Sequence, residues 1–157
     1  MGLGTDVSGG YQISILNTIQ NANIAAKVRA MEAECDDKHH HHHHHRASHE
    51  TKTFTNKPLS IGTLLYLATL GGATVCGLEK RVGSFAPGKS FDALVVDVRD
   101  EAGNIGIWGN PDSRFPIDDK CSQLEVWLEK FLLCGNNVNI SRVYVQGKLI
   151  GGRSFHK

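Results

Sequence analysis

The sequence predicts an α/β protein in which helices occupy the first half and strands close the chain. Three observations carry this prediction. Asp6 stands in the small-residue stretch GTDVSGG, directly before a run of helical periodicity. A second helical stretch follows Pro58, and from Arg81 the apolar period changes to two, as in strands.

The bulk composition suits one globular unit with little net charge. The chain has 157 residues, of which 40% are hydrophobic, and a formal net charge of +1. Because basic residues do not cluster, neither nucleic acid nor a membrane surface is expected as a partner. MGLGTD lacks a secretory pattern, and Gly71 and Gly72 interrupt the longest apolar stretch. We therefore expect a cytoplasmic protein that binds a small molecule.

The cysteines exclude two kinds of zinc site. Cys35, Cys76, Cys121 and Cys134 form no C-x-x-C pair, which a zinc knuckle or a cytidine-type deaminase would need. Isolated cysteines of this kind are typically small buried hydrophobic residues in a reducing compartment.

Two helical regions are expected in the first half of the chain. Apolar spacing predicts one helix over Tyr11 to Glu34, entered through a turn at Gly9 and Gly10. The pattern of residues 58–80 predicts two short helices with a bend at Gly71 and Gly72. Ser60 is a good N-cap for the first of them.

Between these regions, residues 35–57 predict a low-complexity, histidine-rich surface loop. Seven consecutive histidines run from His39 to His45. Imidazole is a common metal ligand, but a bare repeat lacks the second-shell partners of a working metal centre. A solvated tract is the favoured interpretation, and a metal-buffering protein remains an alternative.

Residues 81–157 predict strands with one helix among them. Pro87 and Gly88 suit a type II turn before a strand over residues 92–98. Apolar spacing then predicts a helix over about 122–134, and the last strands form a hairpin that turns at Gln146 and Gly147.

Three segments together resemble the C-terminal part of the guanine deaminases, a family within the amidohydrolase superfamily. They are GLGTDVSGGY, LSIGTLLYLATLGGATVCGLEKRVGSFAPGKSFDALVV and NISRVYVQGKLI, and GKSFDALVV is the sharpest marker. The resemblance implies a C-terminal fragment of a (β/α)₈ barrel. Residues 1–34 would hold the eighth strand and its helix, 58–80 the barrel-flanking helices, and 81–157 the C-terminal part of a small β-sandwich.

The resemblance also implies a role for Asp6. At the matching position the family has an aspartate that is both a zinc ligand and a catalytic proton acceptor. Zinc lowers the pKa of bound water to about 7, so that hydroxide is available to convert guanine to xanthine and ammonia in purine catabolism. Without the flanking pattern, an aspartate here would be an ordinary helix N-cap.

The family's other zinc ligands, an H-x-H pair and two further histidines, lie on earlier strands and have no match before Asp6. We therefore expect a chain that is inactive alone, with exposed apolar patches around Ile15, Leu64 and Leu65. The partner would be a missing N-terminal barrel half or a full-length subunit, since the family forms homodimers. A non-catalytic fragment that pairs with a full-length amidohydrolase, or a different amidohydrolase specificity, remains an alternative.

Overall fold

The structure, a computed structural model, describes residues 1–10, 12–39, 57–107 and 120–155, with only the backbone described at 33–39 and 120–122. His40 to His45 of the histidine tract lie outside the described residues. The described chain forms four α-helices and one three-stranded sheet. They are α1 Ile15–His39, α2 Ile61–Ala68, α3 Leu70–Val75, β1 Ala93–Val96, α4 Lys120–Cys134, β2 Ile140–Val145 and β3 Lys148–Gly151, with short 3₁₀ turns at Asp100–Ala102 and Asn137–Asn139.

The first helix is displaced from its predicted bounds. It begins at Ile15 rather than Tyr11 and continues past Glu34 to His39. The prediction ended where apolar residues cease, but periodicity reports which helix face is buried and not how far the backbone stays helical. Since no glycine or proline occurs between Ile15 and His39, the helix extends into the predicted loop.

The second helical region begins as predicted and bends elsewhere. Ser60 is the N-cap of α2, and its hydroxyl accepts a 3.1 Å hydrogen bond from the Thr63 amide. The break between α2 and α3 falls at Thr69, with φ −122° and ψ −96°, so the predicted bend at Gly71 and Gly72 is wrong. The Thr69 hydroxyl donates 2.7 Å to the Leu65 carbonyl, a side-chain contact that favours a bent helix.

The sheet has the antiparallel order β1-β2-β3. The hairpin turn is confirmed, because Gln146 and Gly147 have φ values of 51° and 76°, as a type I′ turn requires. The Pro87–Gly88 turn is also confirmed, with Gly88 at φ +84° and the Lys89 amide bonded to the Ala86 carbonyl at 3.1 Å. β1 is shorter than the predicted 92–98, and its register shifts between Val95 and Val96.

The buried core joins three helices. Its fully packed members come from α1, α2 and α4: Leu16, Ile19, Leu64, Phe131 and Leu132. Val96 and Ile140 of the sheet pack against them. Leu64 has an exposed fraction of 0%, so the predicted patch is wrong at that residue, whereas Ile15 and Leu65 are 38% and 37% exposed.

Two cysteines differ from expectation. Cys76 and Cys134 are both exposed, which corrects the prediction that the cysteines are buried. Each lies at the C-terminal end of a helix, where the apolar stripe stops. Within the described ranges, no helix combines the length and apolar character that crossing a bilayer demands.

Two apolar surfaces remain open to solvent. On α1, Ile24, Val28 and Met31 are exposed at helical spacing, opposite the face that meets the core. On the sheet, Leu94, Val145 and Ile150 are exposed. Contiguous apolar surface of this kind is typical of an interaction surface.

Candidate functional site at Asp6

Asp6 lies in a tight turn at the end of the N-terminal segment. Its backbone carbonyl accepts hydrogen bonds from the Gly9 amide, at 2.9 Å, and from the Gly10 amide. No strand in the described part of the chain pairs with residues 1–6, so the predicted eighth strand is not seen as part of a sheet. The turn itself is the fixed feature around this aspartate.

The Asp6 backbone is in the left-handed region, with φ 48°. Most non-glycine residues avoid this region, and Asp and Asn tolerate it best because their short polar side chains interact locally. Sparsely populated conformations cost about 1–3 kcal/mol each and cluster at functional sites. Asp6 is therefore marked by its conformation as well as by its residue type.

Close approach of backbone requires glycine at Gly10, and Gly9 lies against the Asp6 carboxylate. A Cβ on Gly9 would lie 2.7 Å from Oδ2 of Asp6, and one on Gly10 would lie 2.8 Å from the Asp6 carbonyl oxygen. Close approach is what the structure shows, and the positive φ belongs to Asp6 instead.

The simpler alternative for Asp6, an N-cap, does not apply to α1. That helix begins at Ile15, several residues farther along the chain, and its first turn is closed by the Thr18 amide bonding to the Ser14 carbonyl. The Asp6 side chain is exposed, and no described residue donates a hydrogen bond to it. Its carboxylate oxygens remain available to a ligand.

A complete metal site does not form among the described residues. No group of three or more His, Cys, Asp or Glu side chains comes together in those ranges. Zinc in proteins takes four ligands in structural sites and three protein ligands in catalytic sites. Asp6 alone does not meet that requirement, so the described residues do not fit a whole zinc centre.

The N-terminal segment is fixed against the junction of α2 and α3. The Leu3 amide donates a 3.0 Å hydrogen bond to the Leu67 carbonyl, and the Leu3 side chain packs against the core. Gly2 lies directly on Gly72, since a Cβ on Gly2 would be 2.7 Å from the Gly72 Cα. Sequence reasoning missed this contact, because nothing local links residues so far apart.

Gln12 is a second residue that the sequence did not single out. Its side-chain oxygen Oε1 is buried and has no hydrogen-bond partner among the described atoms. A buried acceptor left in this state costs about 1–3 kcal/mol. It lies between the Asp6 turn and α1, on the segment that carries the candidate site.

A separate charged cluster lies at the end of β1. Arg99 holds the Asp97 carboxylate through Nε at 2.9 Å, and Arg153 approaches the same carboxylate at 3.2 Å. The Arg99 hydrogen bond is the largest cause that lowers the pKa of Asp97, followed by partial burial, which opposes it. The cluster borders an open depression of about 380 Å³ that also touches Trp127.

Comparison with known proteins places the chain in a family. The profile of the amidohydrolase family matches residues 1–150. The chain belongs to the amidohydrolase family. Among its amidohydrolase relatives, guanine deaminase of Rattus norvegicus is 32% identical over 155 residues, which is 96% of this chain and 27% of the rat protein. The probable guanine deaminase of Schizosaccharomyces pombe is 34% identical and covers 97% of this chain and 23% of its own length.

Solved amidohydrolase structures agree with this assignment. Guanine deaminase from C. acetobutylicum, solved with guanine bound in its active site, has a TM-score of 0.60 and 27% identity over 96% of this chain. E. coli guanine deaminase has a TM-score of 0.58 and 26% identity over 97% of this chain. The chain spans 27% of each of these two proteins, so it matches a part of a guanine deaminase.

Proposed function

We propose that this chain supplies the C-terminal part of a metal-dependent amidohydrolase that deaminates guanine to xanthine and ammonia. Asp6 is its catalytic contribution. The observation that carries the proposal is the left-handed backbone of Asp6 within the glycine turn of a segment that the family profile matches from residue 1. A left-handed backbone at an exposed acid whose carboxylate oxygens are available supports ligand binding at this turn.

Asp6 would be one ligand of the metal, which we propose is zinc. Its carboxylate would also accept a proton. Its exposure and the absence of described hydrogen-bond donors support both roles. Because three or more acidic, histidine or cysteine side chains do not converge among the described residues, the other ligands must come from polypeptide outside them.

The same segment would be the eighth barrel strand once neighbouring strands are present. The backbone amides and carbonyls of a strand need partners on neighbouring strands. Residues 1–6 pair with no strand of the described sheet. In this arrangement residues 1–34 and 58–80 belong to the barrel, and residues 81–157 belong to the β-sandwich.

The partner would be the preceding barrel portion of an amidohydrolase. The open α1 surface of Ile24, Val28 and Met31 supports such an interface, as does the exposed sheet surface. The buried, unpaired Gln12 oxygen supports it too, since a donor from further polypeptide would satisfy it.

Guanine is proposed as the substrate because the relatives are guanine deaminases, one of them solved with guanine bound. A different amidohydrolase substrate would leave the role of Asp6 unchanged. The substrate and the role of Asp6 can therefore be tested separately.

The decisive experiment uses a chimera in which the matched part of E. coli guanine deaminase is replaced by residues 1–150 of this chain. Xanthine formation and bound zinc are measured for the chimera, for its Asp6→Asn variant and for Asp100→Asn, a matched control at another exposed acid. We expect a loss of at least about a thousandfold in kcat for Asp6→Asn. The 157-residue chain alone should form no xanthine from guanine.

Full activity of Asp6→Asn, or activity of the chain alone, would overturn the role given to Asp6. A chimera that binds zinc through Asp6 but converts another ring in place of guanine would overturn the substrate alone. Equal losses in Asp6→Asn and Asp100→Asn would point to a general folding defect and count against a specific site.

A further inference from the structure

We infer that Gly71 is a positioning residue for Asp6: the absence of a side chain at Gly71 lets the N-terminal segment lie on the α2–α3 junction and so fixes where the Asp6 carboxylate stands. This inference rests on the proposed role of Asp6. Gly71 is far from Asp6 in the sequence and has no side chain that could react or bind a ligand.

The contact at Gly71 is made by backbone. Gly71 is buried, and a Cβ there would lie 2.7 Å from the Met1 carbonyl oxygen and 3.0 Å from the Tyr66 carbonyl oxygen. Real Cβ atoms do not approach backbone oxygens so closely, and neither oxygen is the end of a flexible side chain. An alanine at this position must therefore displace the N-terminal segment or the end of α2.

Local structure gives no reason for glycine here. Gly71 and Gly72 both lie inside α3, which has only six residues. Each glycine costs a helix about 1 kcal/mol relative to alanine. Neither residue is among the glycines with positive φ, so conformational freedom does not explain them. The close approach of the Met1 carbonyl does explain Gly71.

The displacement would reach Asp6 because Leu3, which is bonded to the helix pair, lies only three residues before Asp6, and the Asp6 turn is closed by its own hydrogen bonds. On one side, the Leu3 amide is bonded to the Leu67 carbonyl in the same helix pair. On the other, the Gly9 amide holds the Asp6 carbonyl, and the Asp6 carboxylate lies over Gly9. Metal–ligand distances tolerate only about 0.2 Å, so a small shift of this segment matters to a metal ligand.

Gly72 provides the matched control. It is the next residue in the same helix, and a Cβ on it would meet only the Leu67 carbonyl, at 3.6 Å, which is ordinary van der Waals contact. Gly71→Ala and Gly72→Ala thus make the same chemical change with the same gain in helix propensity. They differ in whether the N-terminal segment must move.

The first measurement is made on the whole 157-residue chain by NMR. We expect Gly71→Ala to speed hydrogen exchange at the Leu3 amide by at least about tenfold and to shift the Asp6 Cα resonance. Gly72→Ala should leave both unchanged within about twofold. The Val143 amide in β2 serves as an internal reference and should not respond to either variant.

If Gly71→Ala does not fold, Gly2→Ala tests the same contact from the other side, since its Cβ would lie 2.7 Å from the Gly72 Cα. It should produce the same response at Leu3 and Asp6. Equal behaviour of Gly71→Ala and Gly72→Ala at these two reporters would overturn the inference. So would an unchanged Leu3 amide in Gly2→Ala.

The second measurement uses the E. coli chimera. Gly71→Ala should weaken zinc binding by about tenfold to a hundredfold and lower kcat, with KM for guanine unchanged. Gly72→Ala should leave zinc binding and kcat unchanged. A raised KM for guanine in Gly71→Ala, with zinc affinity unchanged, would contradict a positioning role. If Asp6→Asn proves harmless, the proposed function fails, and the NMR result still decides whether Gly71 places Asp6.

Discussion

The side-chain amide of Asn139 donates a 2.8 Å hydrogen bond to the backbone carbonyl of Asp97. The Asp97 amide returns a 2.8 Å bond to the Asn139 carbonyl, so the two residues join the end of β1 to the start of β2. Asn139 is completely buried, and its Oδ1 accepts from the Asn104 side chain at 2.7 Å and the Asn136 amide at 3.1 Å. This polar group is thus well satisfied in a setting where an unpaired one would be costly.

Replacing Asn139 with leucine should therefore destabilise the protein far more than its size change suggests. The substitution leaves the part-buried Asp97 carbonyl and Asn136 amide without their partner, at up to about 1–3 kcal/mol for each group. We expect a total loss of about 3 kcal/mol in the free energy of unfolding, measured in urea. Asn137→Leu is the control, because Asn137 is exposed in the same 3₁₀ turn, and similar losses in both would refute the explanation.

The stability of the chain should depend on Asp97 in acid. Arg99 lowers the pKa of this carboxyl below its usual value of 3.8. Since the folded pKa lies below the unfolded one, the carboxylate stabilises the fold fully above the unfolded pKa, and this stabilisation is lost as pH falls through the lowered pKa.

Asp97→Asn should consequently be less stable than the parent chain at neutral pH, with a difference that narrows below about pH 4. Urea unfolding at a series of pH values measures it. Asp100→Asn, at an exposed acid of the adjacent turn, is the control. Stability curves of parent and Asp97→Asn that stay parallel down to strongly acidic pH would be inconsistent with this role.

Leu132 should be the most sensitive position on α4. Its exposed fraction is 2%, and it packs in the cluster that joins α1, α2 and α4. Leu132→Ala removes buried methyl groups and leaves a cavity, so we expect a loss of about 3 kcal/mol. Leu124→Ala on the same helix, where Leu124 is 61% exposed, should cost less than about 0.5 kcal/mol. Comparable losses at the two leucines would show that the core lies elsewhere.

The hairpin turn can be improved. Gln146 has φ 51°, a conformation that asparagine adopts more readily, and its amide bond to Asp92 Oδ1 at 2.7 Å uses the backbone only. Gln146→Asn should raise the free energy of unfolding by about 0.5 kcal/mol. Gln146→Ala, which gains no such preference, should give no increase, and a gain in both variants would remove turn conformation as the cause.

The elements that sequence reasoning located correctly depend on neighbours in the chain. Ser60 caps α2, Pro87–Gly88 forms its turn, and Gln146–Gly147 closes the hairpin, each through contacts within a few residues. The errors have a different origin. The burial of Leu64 follows from packing against distant segments, which local propensity does not record. The break at Thr69 instead of Gly71 accompanies the bond from the Thr69 hydroxyl to the Leu65 carbonyl, a contact that the glycine signal does not report.

The sequence by itself singled out Asp6 as the candidate acid, because the residues around it carry the family resemblance and include the glycines of its turn. Tertiary structure alone decided how the segment before that acid is held, through the bond from the Leu3 amide to the Leu67 carbonyl and the close contact of Gly2 with Gly72. The reason is physical. A turn is set by the allowed dihedral angles of adjacent residues, whereas the place of a side chain is set by excluded volume between segments that meet only after folding.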